Sequence, residues 1–493
     1  MRQNLHLSRV VDSDSDSDSK GYVCMNMSIA DAIIYGSPED VAREAHANAS
    51  LDFVDEYGYT PLIQACISDD IALVNILLKY NPDVNFADLV GQTALHWAVD
   101  NHNLELCTLL LKRGANPNAY SVAGMPILVK PLLRDQKELK ELLIQQGAQL
   151  TFAYDFINAK MLGHRFELKG FVDLINADGK FVEIALEGFI LEFTLEALRK
   201  SIVDFRYNFA ARQWEREFVK LRTMMGALSN ASKLIRLQHY NIDYEKHLDK
   251  ITPWIEADPL IIPVAQEGHA LTLIRAGNLL AVCDRASYAH QDSTEEKVKI
   301  YYMNKPWKLT PEWVAELIYV RQTMAVFQKM LSVTLGLHEI ASMPLHAQIA
   351  GNCSWANIEA CIPTLFYMLC MNDPGKSGER LVKDKNEAMS LYRDWQAWDQ
   401  DRSLDYFIQH FSDADKKRRA AIAEILCAVL FESCSAIRKE DHERIKKIVP
   451  IVMIKELQYI PDSYLTAYYL EQKTDAGENF KKMLRIGGDV FGE

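Results

Sequence analysis

The chain has 493 residues, 49% of them hydrophobic and 25% charged, the composition of a soluble globular protein with roughly two to four domains. A formal net charge of -13 and a pI near 5.6 exclude a general nucleic-acid binder, which needs a basic face to displace counterions. Nine cysteines without paired or clustered spacing exclude a disulfide framework and a zinc site, and they point to a reducing compartment; no cofactor or metal is expected, and no apolar run reaches the roughly 18 residues of a membrane span.

Residues 1–27 come first. They carry no signal-peptide core, and Asp and Ser alternate over 12–19, so a disordered, solvated tail is expected. Repeats follow, over 28–163. Gly58-Tyr59-Thr60-Pro61-Leu62, Gly91-Gln92-Thr93-Ala94-Leu95-His96 and Gly124-Met125-Pro126-Ile127-Leu128 align with their glycines 33 residues apart, and Asn85 and Asn118 keep the same period. Threonine caps a first helix, proline or alanine opens it, and the Leu pairs of a second helix bury against the next unit. This pattern resembles the ankyrin-repeat family. An incomplete repeat is expected to cap the N-terminal side, and a half repeat after Gly147-Ala148 to extend the stack to about 163. Val129-Lys130-Pro131 departs from the family's small residues.

The resemblance implies a stack that grips a protein partner through its hairpin tips. Tyr57, Asp88, Val90, Trp97 and Tyr120 are the candidate contact residues, with burial between repeats as the competing reading of Trp97. Leu77, Asp83, Val84 and Asn85 also resemble the pattern at which host asparaginyl hydroxylases act on ankyrin repeats; the competing reading has Asn85 hydrogen-bonding inside its own hairpin turn.

From residue 164 the period ends. Short strands are expected over 166–187 around Ala177-Asp178-Gly179, then helices over 189–206 and 213–237. Strands over 259–265, 269–274, 279–283 and 297–303 follow, the middle two joined by a tight turn at Gly277-Asn278. A long helix is expected over 310–335, capped by Thr310.

The segment Gln348-Ile349-Ala350-Gly351-Asn352-Cys353-Ser354-Trp355 places Cys353 at the start of a helix, where thiolate is favoured. His269 and Asp284 lie at the open ends of two strands joined by the tight turn, so they come side by side as base and orienting group. Pro363 is expected to break or kink the helix after Cys353.

The order His269, Asp284, Gln348, Cys353 resembles the adenain and ubiquitin-like-protein proteases of clan CE, and Trp355-Ala356 after the cysteine resembles papain-like enzymes. Ala270 after the histidine and Ser354 after the cysteine depart from the clan CE pattern. The resemblance implies a catalytic Cys353, His269 and Asp284 with Gln348 at the oxyanion. The bland alternative is an ordinary strand histidine, a surface ion pair of Asp284 with Arg285 and a buried thiol. Cys283 and Cys361, inside apolar runs, are expected to be inert core.

The loop 371–378 contains Gly-Lys-Ser but lacks the upstream glycine of a phosphate loop. Helices are expected over 385–411, 413–433 and 440–457, with a loose polar tail after Gln472 that is compatible with a type IV secretion signal. The fold class expected is α+β multidomain: an all-α ankyrin solenoid at 28–163, a papain-like or clan CE cysteine-protease-like domain at 164–375, and C-terminal helices at 376–493. This combination resembles ankyrin-type effectors injected by Legionella. That implies a bacterial protein secreted into the host cytoplasm or nucleus, which holds host proteins through its hairpin tips and acts either as a thiol hydrolase or as a non-catalytic scaffold.

Overall fold

The computed structural model describes residues 28–48, 50–56, 58–238, 248–266, 269–285, 298–320, 331–345, 347–348, 351–372 and 378–488. The 1–27 tail, Tyr57 and most of the Gly-Lys-Ser loop lie outside them.

Four helix pairs make the repeat stack: Ile29–Tyr35 and Pro38–Ala47 (α1, α2), Pro61–Ile67 and Ile71–Leu77 (α3, α4), Ala94–Asp100 and Leu104–Lys112 (α5, α6), Val129–Leu133 and Lys137–Gln145 (α7, α8). The caps are those the sequence encodes. Thr60 Oγ1 accepts from Ile63 N at 3.1 Å, and Asp70 and Asn103 cap α4 and α6 in the same way. Leu77, Leu78 and Leu110 are buried between units. Gly58, Gly91 and Gly124 have φ of +87°, +75° and +72°, the left-handed turn geometry that makes glycine recur at the repeat period.

The irregular third repeat has a physical reason. Lys130 Nζ lies 2.6 Å from Asp100, and Arg134 reaches Asp100 at 2.8 Å and Glu192 at 2.9 Å. Small residues could not make this buried ionic bridge to the next part of the chain. The expected half repeat is instead one 16-residue helix, α9 (Leu150–Arg165), which runs two residues past 163.

Beyond α9, strands β1 (Phe171–Ile175) and β2 (Phe181–Ala185) form an antiparallel hairpin. It lies against the third repeat's turn: a Cβ at Gly124 would stand 3.2 Å from Val182 Cγ1 and 2.0 Å from Ile184 Cδ1. Helices α10 (Leu191–Arg206), α11 (Phe218–Gln238) and α12 (Leu248–Ile255) follow. A five-stranded antiparallel meander then runs in chain order: β3 (Leu260–Gln266), β4 (His269–Ala276), β5 (Leu279–Cys283), β6 (Val298–Met303) and β7 (Leu337–Met343).

The expected helix over 310–335 is not continuous. Its first part, α13 (Pro311–Tyr319), ends where Val320 turns extended at φ -104° and ψ 123°; residues 321–330 lie outside the described residues. The edge strand β7 was not anticipated. Its exposed His338, Glu339 and Ile340 give no clean alternation of apolar and polar residues.

After the sheet, α14 (Cys353–Glu359) and α15 (Cys361–Met371) meet at Ala360. Restarting at Cys361 puts Pro363 in the first turn, where its missing N–H leaves no ladder bond unmade. Five helices complete the chain: α16 (Gly378–Phe411), α17 (Lys416–Ser433), α18 (His442–Val452), α19 (Tyr459–Tyr464) and α20 (Asp475–Gly488). The tail expected to be loose is therefore a helix over Asp475–Gly488. Phe480 and Met483 are 0% exposed, and Gly487 sits so close to Val449 that a Cβ there would be 2.3 Å from the valine Cβ.

Apolar residues gather in two cores. One joins the repeats, the β1–β2 hairpin and the C-terminal helices from Leu404 onward; the other joins α10 and α11, the meander, α13 to α15, and α16 as far as Trp395. Helix α16 crosses from one to the other. Among the described residues no helix is long and apolar enough to cross a membrane.

Candidate active site

His269 opens β4 and Asp284 follows β5, and the antiparallel register between those strands brings their ends together. His269 Nε2 lies 2.9 Å from Asp284 Oδ1, which leaves the other ring nitrogen for a second partner. Cys353 is the group whose electrostatics couple to it. The Asp284 hydrogen bond, and after it the one to Cys353, raise the His269 pKa to about 9 against the opposing effect of burial.

The cysteine responds in the opposite sense. Its pKa is lowered, first by the hydrogen bond with His269, with burial opposing and the backbone N–H groups of Ala270 and Ser354 assisting. The helix macrodipole expected to activate it is confined to α14, which has only seven residues, so the imidazole carries most of the effect. Cys353 is half-buried, whereas the other described cysteines are buried. Burial raises the thiol pKa of Cys107 to about 12 and pushes Cys66 and Cys361 up as well.

Gln348 stands at the rim. Its N–H donates to Arg285 O at 2.8 Å, next to Asp284, and its buried Oε1 has no hydrogen-bond partner among the described residues. The structure thus brings His269 against Asp284 and ties Gln348 to the residue after Asp284. Sequence reasoning missed the residues that fasten them.

Asn357, one helical turn after Cys353, donates Nδ2–H to Ala270 O at 2.6 Å, and its Oδ1 accepts from Arg285 N at 2.8 Å. His164, near the end of α9, meets Asn352 Oδ1 at 2.5 Å through Nδ1 and stacks on Trp355 with ring centroids 5.3 Å apart. Lys160, one turn earlier, donates to the carbonyls of Ala185 and Glu187 at 2.6 Å each; burial lowers its pKa to about 8. The segment it grips continues into Gly188, whose N–H donates to Gly351 O at 3.2 Å, and Phe189, whose N–H donates to Ser354 Oγ at 3.3 Å. A polar Asn357 inside the apolar run from Trp355 to Ile358 was a readable signal. Nothing local marked His164 or Lys160.

The candidate contact residues of the repeats divide by exposure. Asp88 is buried and serves its own turn: Oδ1 accepts from Val90 N at 3.0 Å and from Gln92 N at 2.8 Å. Trp97 is partly buried, edge-on to Tyr59 at 5.7 Å, and Tyr120 stands edge-on to Phe152 at 5.8 Å. Val90 is 54% exposed, with Leu89 at 75% and Val122 at 77% beside it; Val122 N donates to Val90 O at 2.9 Å, so two neighbouring tips share one apolar crest. Leu89 and Val122 were not singled out from sequence. Asn85 bonds beyond its own turn to the next repeat, donating to Gly114 O at 3.0 Å and accepting from Asn116 N at 2.7 Å; Asn118 repeats the device with Gly147 and Gln149. Among the described residues no cluster of His, Cys, Asp and Glu could hold a metal ion.

Comparison with known proteins agrees with the stack and extends to the rest of the chain. A family model for ankyrin repeats matches residues 29–121 in three copies. The solved structure of the Legionella effector AnkH superposes with a TM-score of 0.82 at 40% identity, covering 94% of this chain and 97% of that one. No curated protein matches.

Proposed function

The chain belongs to the family of the Legionella effector AnkH, and from that premise we propose that it is a bacterial effector translocated into a host cell, which holds a host protein by its repeat tips and carries a thiol hydrolase site. The observation that supports the hydrolase is the 2.9 Å bond of His269 Nε2 to Asp284 Oδ1, together with a half-buried Cys353 whose thiol pKa His269 lowers. In this reading residues 164–375 are the catalytic unit, of papain-like or clan CE type.

The Cys353 thiolate attacks the carbonyl carbon of an amide or isopeptide, forming the C–S bond. The His269 imidazolium then protonates the departing amine as the C–N bond breaks. In the second half-reaction neutral His269 takes a proton from water. The hydroxide formed attacks the thioester, the acid leaves, and the thiolate–imidazolium pair is restored. Asp284 holds the ring throughout, and the Cys353 backbone N–H with the Gln348 amide stabilises the oxyanion. The order His, Asp, Gln, Cys supports ubiquitin-like conjugates as the substrate class.

The test uses ubiquitin-like proteins bearing a C-terminal electrophile. The parent should form a covalent adduct and Cys353→Ala none; a panel of such probes that leaves the parent unmodified argues against this substrate class.

A second reading, a scaffold without chemistry, is favoured by the apolar crest of Leu89, Val90 and Val122. Replacing the three with serine should leave the melting temperature within about 1 °C, since surface changes are near neutral, while abolishing capture of the host partner. Capture by the triple variant at parental strength would remove the crest from the interface. Capture that depends on the crest, in a protein whose Cys353 reacts like an ordinary thiol, would leave the scaffold standing alone.

A further inference from the structure

Three separate stretches of chain supply Cys353, His269 and Asp284, and one buried side chain on the first bonds the backbone of the other two. Asn357 is 1% exposed and lies on α14 four residues after Cys353, hence on the same helical face. Its Nδ2 bonds the carbonyl of Ala270, the residue after His269; its Oδ1 takes the N–H of Arg285, the residue after Asp284.

We propose that Asn357 is the positioning residue of this site, an amide staple that sets the Cys353 sulfur against the His269 ring and aims the Ala270 N–H at the sulfur. The proposal rests on the thiol hydrolase reading.

The side-chain type follows from the bonds. One partner is an acceptor and the other a donor, so the residue must offer both, at a length that spans from helix to sheet. Only a carboxamide or a protonated carboxyl does so at this size. Leucine would fill the space and make neither bond. Ionised aspartate would accept from Arg285 but face the Ala270 carbonyl with a second acceptor, in a buried place where the mismatch is costly. A sulfur displaced by an ångström from its base loses activity on the order of a hundredfold, so a staple at this point governs reactivity as well as stability.

The experiment measures alkylation of Cys353 by iodoacetamide in the full chain, as rate against pH, with adducts located by mass spectrometry. Asn357→Ala should react at least about tenfold more slowly than the parent near neutral pH. Asn357→Asp is the sharper variant. Burial raises a carboxyl pKa, and once protonated the group again donates to Ala270 while accepting from Arg285. Its rate relative to the parent should therefore be low at about pH 8 and recover toward parity at about pH 5.

A purely structural asparagine would lower the melting temperature of both variants but leave that ratio constant with pH, and this result overturns the proposal. So do folded variants that keep the parental rate and profile. If Asn357→Ala does not fold, Asn357→Ser, which keeps one polar atom in place, supplies the comparison. A parent whose Cys353 reacts no faster than in the urea-unfolded chain overturns the hydrolase reading and the staple together. An activated parent with unaffected variants overturns the staple alone.

Discussion

Alanine at position 269 should slow the alkylation of Cys353 at about pH 6 by one to two powers of ten, on the scale set by thiolate fraction. In the folded protein the His269 pKa is raised to about 9, by the Asp284 hydrogen bond first and the Cys353 interaction next, so the ring is protonated at this pH and favours ionisation of the sulfur. Without the ring, burial acts on the thiol unopposed by its main stabilising partner. An unassisted thiol is less than about one per cent ionised at pH 6. The loss of rate falls somewhat short of the loss of thiolate, because a less acidic thiol is intrinsically more nucleophilic.

The sign of the pH dependence follows. Because the folded pKa of His269 is raised, its contribution to stability is complete below the unfolded value of 6.5 and fades as pH rises through about 9. The parent's alkylation rate should accordingly rise at lower pH than that of His269→Ala, whose thiol has lost the partner that lowers its pKa. Two superimposable rate–pH curves would break the pairing of Cys353 with His269. The buried cysteines provide the internal control: Cys66, Cys107 and Cys361 should stay unlabelled until the protein unfolds.

Arg134→Leu should destabilise the protein by about 3–5 kcal/mol, the cost of leaving buried carboxylates without their cation. The guanidinium forms two 2.9 Å bonds to Glu192 and one of 2.8 Å to Asp100. Its removal leaves Asp100 beside Lys130 at 2.6 Å and takes from Glu192 both of its 2.9 Å guanidinium bonds. Thermal melting should show a transition lowered by on the order of 10 °C. The deficit should shrink as pH falls, since a protonated carboxyl no longer needs the lost cation. Arg134→Leu combined with Glu192→Leu should recover most of the loss, because replacing both partners with apolar groups removes the stranded charge. A single variant as stable as the parent would mean that this bridge does not hold the repeats to α10.

These two residues differ in how far sequence revealed them. The glycines at 58, 91 and 124 announce the repeats because a left-handed turn recurs at a fixed period. His269 and Asp284 were legible because a tight turn brings strand ends together, which is local geometry. Asn357 and His164 act across 87 and 188 residues of chain, and no local pattern encodes such meetings. Lys130 registered only as a deviation from an ankyrin pattern and Arg134 not at all, since the bridge they form through Asp100 ends on Glu192, in the next part of the chain. Helix α20 looked like a loose tail because its burial rests on a few positions, Phe480 and Met483 among them, in an otherwise polar stretch. The edge strand β7 failed for the complementary reason: one of its faces has no core to fill, so it carries no alternation.

Helix α9 closes the repeat stack and, through Lys160 and His164, also holds the segments that lead into Cys353. Recombination that exchanged the repeats for another adaptor would therefore strip the Cys353 segment of its backing. A lineage of such proteins can diversify its targets by altering surface residues of the repeats. It cannot do so by trading the whole recognition segment as a cassette.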